Sequence, residues 1–145
     1  MREAAYITAN LFKIDHLKVL NETINQNIVK GNDQASGGAI KSSQVKFIRL
    51  MSIQKLILPF IDFIMTTNSQ HYGFDLFPLA PRKTLNYNTY QVNEEYTWHV
   101  DATMHSPVRD IKLTCLLNCS TEKYDGGDFF KHHESQRNAF LNPLT

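Results

Sequence analysis

Apolar residues in the first half of the chain recur at helical spacing. Leu17, Leu20, Ile24 and Ile28 form one stripe, and Asp15 stands where a helix N-cap belongs. The stripe predicts a helix packed on a sheet. Ile53, Leu56, Ile57, Phe60, Ile61 and Ile64 give a second, wider apolar face over residues 52–67. Pro59 lies inside it, so either the helix kinks there or a fresh one starts with Pro59 in its first turn. Residues 68–73, ending in Gly73, supply the stop, and residues 74–79 run on extended. Elsewhere the period is two. Residues 6–11 read as a short entry strand and residues 44–48 as a second strand. Two runs rich in Tyr, Thr, Val and Trp flank the polar break Asn93-Glu94-Glu95, which predicts a hairpin over residues 86–101 with Asn93 as its pivot. Ile111, Leu113, Cys115 and Leu117 then alternate with Asp110, Lys112, Thr114 and Leu116, the pattern of a half-buried strand. Residues 31–38 are a loop by composition, Gly126-Gly127 allows a bend, and residues 131–134 read as a solvated turn. Helices first and short strands after predict an α+β fold, with helices on one antiparallel sheet.

Size and charge narrow the function. A chain of 145 residues suits one domain, and a formal net charge of +1 with 20% charged residues gives no electrostatic case for a nucleic-acid partner. The most apolar segment, residues 47–65, is broken by Arg49, Gln54, Lys55, Pro59 and Asp62, so it predicts a core helix and not a membrane span. No secretory signal opens the chain. On one strand Cys115 and Cys119 would stand about 13 Å apart, too far to bridge. Two reduced cysteines fit a cytoplasmic setting. The sequons at Asn21 and Asn118 are then chance matches.

The chemistry-bearing pair is His99 and Asp101. On a strand, side chains two apart share a face, so the two are expected to look into one interior cavity. An imidazole and a carboxylate so held make two thirds of a two-histidine, one-carboxylate iron site, although a structural His–Asp pair at a strand end has the same spacing. Tyr90, a turn, Tyr96, His99-Val100-Asp101, then Arg109, an apolar strand and Tyr124-Asp125-Gly126-Gly127 follow one another in order. This succession, over residues 84–129, resembles the prolyl 4-hydroxylase-like 2-oxoglutarate/Fe(II) dioxygenases.

The resemblance implies a double-stranded β-helix, the jelly-roll relative, supported by helices. Residues 1–80 would be the helical support and residues 84–145 the first part of the β-helix core, in a single oxygenase domain spanning residues 1–145. It implies an enzyme that hydroxylates an unactivated C–H bond of a peptidyl or small-molecule substrate, with Fe(II) and 2-oxoglutarate as cofactors and ascorbate as a further candidate. His99 and Asp101 carry over as metal ligands, and Tyr90 as a residue lining the cosubstrate pocket. An aromatic core role for Tyr90 stays open. Tyr96 and Trp98 read as strand packing, and Arg109 as one half of a structural ion pair. Lys112 departs from the small polar residue usual in the family. In that family a distal histidine and a cosubstrate-binding Arg or Lys follow another strand, and only 44 residues follow Asp101 here. His132 and His133 come early for that role. The expectation is therefore a catalytic domain whose last strands are missing. The alternative is a non-catalytic, degenerate β-helix binding domain lacking the distal histidine. A nucleic-acid demethylase of the same superfamily is a third reading, weakened by the absence of a basic, aromatic-interleaved patch.

Overall fold

The computed structural model describes residues 7–29, 34–35, 43–99, 111–133 and 136–140, with backbone alone at 34–35, 130–133 and 136–140. The helix predicted from the first stripe is α1, Ile14–Gln26, and it buries Leu17, Leu20 and Ile24. It begins two residues earlier than Asp15 suggests. Leu17 N–H bonds the Lys13 carbonyl, so Lys13 is the N-cap and contributes no side-chain bond. Asp15 falls in the first turn instead, where a carboxylate suits the helix dipole.

α1 lies on a three-stranded antiparallel sheet of β1 (Gln34–Ala35), β2 (Gln44–Arg49) and β3 (Thr84–Thr89), with β2 in the middle. The β2–β3 register sets Ile48 opposite Leu85 and Lys46 opposite Tyr87. Ile48 joins Leu17, Leu20 and Ile24 in the core, and Leu85 and Tyr87 pack against it. The entry strand expected over residues 6–11 is not there. Tyr6 lies outside the described residues, and residues 7–13 run without regular structure into α1.

The second apolar face resolves into two helices, which settles the choice at Pro59. α2 (Leu50–Ile53) starts directly from β2, and α3 (Leu58–Thr67) carries Pro59 in its first turn, where a missing N–H costs nothing. No side chain caps α2. Its first amides are satisfied by backbone, Leu50 N–H to the Lys83 carbonyl (2.8 Å) and Met51 N–H to the Pro81 carbonyl (2.9 Å). Ile53 and Ile57 are buried, with Leu56, Phe60 and Ile61 packed partly against them. α3 widens into a π-helical turn, Asn68–Tyr72, and stops at Gly73 in the left-handed region (φ 61°). Asn68, itself buried, pins that stop: its side chain donates to the Phe74 carbonyl (2.8 Å) and accepts from Phe74 N–H (3.0 Å).

The strand expected over residues 111–117 is a correction. Residues 111–120 form no ladder among the described residues, and of the four alternating residues Ile111 and Cys115 are exposed. What holds the segment is side-chain bonding. Asn21 on α1 donates to the Cys119 carbonyl (2.8 Å) and accepts from the Tyr87 hydroxyl (3.4 Å), while Leu117 and Cys119 reach the core. The solvated turn expected over residues 131–134 is also corrected. Phe129–His133 is strand β4, paired antiparallel with β5 (Gln136–Phe140) in a separate two-stranded sheet. The fold is α+β.

Leu20 is fully buried, so Leu20→Ala is expected to cost about 2–5 kcal/mol in a urea unfolding experiment. Leu116, 63% exposed, should change stability by less than about 0.5 kcal/mol when replaced by Ala.

Candidate functional site

The region expected to carry the chemistry starts where β3 ends. Gln91 and Glu94 close a four-residue turn twice over: Glu94 N–H bonds the Gln91 carbonyl (3.0 Å), and Gln91 N–H bonds Glu94 Oε2 (2.7 Å). Asn93 is the pivot, as its residue type suggests, with φ 67°. The turn is nevertheless not that of a tight hairpin. A two-residue hairpin needs a positive φ at the first central position, whereas here only the second, Asn93, has one. That arrangement splays the flanking chain. The strand partner of β3 is accordingly β2, and residues 97–99 beyond the turn are not in a strand.

This changes the setting of His99. Its side chain does not face an interior cavity but is exposed, and Tyr96 and Trp98, expected as strand packing, are 45% and 66% exposed. The imidazole is still held. Its Nδ1 lies 2.7 Å from the Thr97 carbonyl oxygen, and its ring stacks on Tyr96 with centroids 3.6 Å apart and planes at 11°. A carbonyl only accepts, so Nδ1 carries the proton, and in the neutral ring the lone pair sits on Nε2. That is the tautomer of a metal-ligating histidine whose other nitrogen is fixed by a backbone carbonyl. On this count His99 fits a metal.

The other expected members are not brought to it. Tyr90 sits just past β3, 44% exposed. Asp101 and Arg109 lie outside the described residues, as do the side chains of His132 and His133. Among the described residues no three His, Cys, Asp or Glu side chains converge on a point. The Tyr-x-Gly-Gly segment does show a specific geometry. Gly126 and Gly127 have φ of 79° and 69°, and a Cβ on Gly127 would stand 3.1 Å from the Tyr124 ring. The Tyr124 hydroxyl accepts from the Asn118 side chain (2.7 Å). Sequence reasoning assigned Tyr96 to packing. Its position three residues before His99 is the one signal that ties it to the imidazole.

A second place with chemistry is an open groove of about 340 Å³ lined by Leu11, Phe12, Lys13, Asp15, His16 and Pro59. Its histidine is structural. His16 Nε2–H donates to the Leu56 carbonyl (2.7 Å) and the ring stacks on Phe12, tying α1 to the α2–α3 connection. Both cysteines are free, Cys115 exposed and Cys119 partly covered. Burial pushes the Cys119 thiol up to about 11 from its ordinary 9.0. Burial also raises the Tyr87 phenol, with Cys119 adding to the effect. No described helix is long and apolar enough to cross a membrane. No protein-family model, curated protein or solved structure matches the chain.

The raised Cys119 thiol has a sign for stability. Between pH 9 and about 11 the unfolded chain loses this proton while the folded chain keeps it, so stability contributed below pH 9 falls across that window. Cys119→Ser is expected to flatten the fall in urea midpoints between pH 8.5 and 11. An unchanged slope in the variant counts against a buried thiol.

Proposed function

We propose that the chain contributes His99 and Asp101 as ligands of an Fe(II) centre in a 2-oxoglutarate-dependent dioxygenase of the prolyl 4-hydroxylase-like type. The observation that carries the reading is the His99 imidazole, held by the Thr97 carbonyl in the Nε2 lone-pair form inside the succession Tyr90, Tyr96, His99-x-Asp101, Tyr124-x-Gly-Gly. Imidazole and carboxylate are the donors that suit Fe(II). When bound, iron and 2-oxoglutarate supply oxygen activation for hydroxylation of a C–H bond, and the protein supplies position. His99 offers Nε2, Asp101 offers a carboxylate two residues on, and Tyr90 is assigned to the cosubstrate side. The jelly-roll core belongs to the same proposal, beginning with β3 and set against the support region of residues 1–80.

A second reading is a non-catalytic binding domain of the same ancestry. The exposed His99 ring and the 66% exposed Trp98 favour it, because catalysis of this kind is better served by an enclosed site.

Anaerobic Fe(II) titration separates the readings, with Mn(II) as a redox-inert check. His99→Ala and Asp101→Ala should each weaken binding at least about tenfold, and 2-oxoglutarate should strengthen binding to the unaltered chain. A double variant that binds Fe(II) as well as the unaltered chain removes the proposal and leaves the binding-domain reading.

A further inference from the structure

We propose that residues 116–120 form a strap, closed over the seam between α1 and β3 by the side-chain amide of Asn21, that opens and closes while the sheet stays folded. The Asn21 amide on α1 donates to the Cys119 carbonyl (2.8 Å) and accepts from the Tyr87 hydroxyl of β3 (3.4 Å). One amide thus joins a helix, a strand and a segment that has no ladder among the described residues. Of its two bonds, the shorter is the one that reaches the strap. Leu117 and Cys119 complete the closure by packing against the core cluster. The strap does not depend on the iron-site reading.

The bonds divide into those that opening breaks and those that travel with the strap. Opening breaks the Asn21–Cys119 bond and the packing of Leu117 and Cys119. It keeps Ser120 N–H on Asn118 Oδ1 (3.0 Å), the Cys119 thiol on the Leu117 carbonyl (3.6 Å) and the Asn118 amide on the Tyr124 hydroxyl (2.7 Å). The sheet loses nothing, because the β2–β3 ladder takes no residue from 116–120, and neither do the buried members of the core cluster. A segment with so few buried apolar contacts, Leu116 being 63% exposed, opens at lower cost than the whole fold. The Asn118–Tyr124 bond passes the movement to the Tyr124-x-Gly-Gly segment. The closed strap also shields a nucleophile. Burial holds the Cys119 thiol at about 11 against an ordinary 9.0, so below pH 9 the open strap is where thiolate forms most readily.

Thiol exchange with an aromatic disulfide, dithiobis(nitrobenzoate), at about pH 8 reads the opening. In the full chain carrying Cys115→Ser, an exposed position, Cys119 is the one thiol. Its thiolate breaks the reagent's S–S bond, forms a mixed disulfide and releases one coloured thionitrobenzoate. Labelling should be slower than in the urea-unfolded chain, and its rate should stay flat as urea rises until global unfolding sets in. Asn21→Ala in the same background should speed labelling about threefold to tenfold, the loss of one hydrogen bond. Ile57→Val, a change in the buried core, should lower the urea midpoint and leave the labelling rate unchanged. The strap is overturned if Cys119 labels as fast as in the unfolded chain, or if the rate climbs with the first additions of urea. It is equally overturned if Asn21→Ala leaves the rate unchanged, or if Ile57→Val raises it in step with the lost stability. The urea series needs only the Cys115→Ser chain, so it decides the matter even where Asn21→Ala fails to fold.

Discussion

Ile48, at the middle of the sheet and 1% exposed, is where the described structure is tied together. Its backbone belongs to the central strand β2 and its side chain to the cluster with Leu17, Leu20 and Ile24 of α1. Strand pairing and helix packing therefore depend on one position. The dependence extends along the backbone. Residue 28, at the exit of α1, bridges to Ile48, and Val29 N–H bonds the Phe47 carbonyl. On the other side the β2–β3 ladder continues into the bonds from Leu50 and Met51 to the carbonyls of Lys83 and Pro81. A one-residue slip of β2 would turn Ile48 away from α1 and release both ends at once.

The elements most legible in the sequence are those whose stabilisation is local or one-sided. The α1 stripe, the strand at residues 44–49, the restart at Pro59 and the stop at Gly73 each follow from a spacing or a backbone preference acting over a few residues. Asn93 was legible for the same reason, since a positive φ is a property of one residue. The 111–117 segment was not. Its alternation fits a strand, but a strand needs a partner, and alternation names none. The Asn21 side chain supplies an anchor instead, 98 residues distant from Cys119 in sequence. No periodicity can report an amide on a helix that holds a distant carbonyl. In the same way residues 131–133 of β4 read as a polar turn because the strand is defined by its backbone ladder with β5, a partner that a short polar run does not name.

The candidate site shows the same division within a few residues. Spacing predicts a face for His99 only if the chain there is a strand, and whether it is one depends on the turn before it. With Val92 unable to take the left-handed place and Asn93 taking the next one, the turn directs the chain away from β3, and the period-two argument loses its premise. One feature of His99 does not depend on a strand. A histidine whose Nδ1 meets a carbonyl two residues back has its tautomer set by its own segment, whatever the sheet does. The tautomer of His99 is thus better defined by its own segment than the direction of its ring is. The ring of Tyr96, parallel to the imidazole at 3.6 Å, is a further contact within the same short segment.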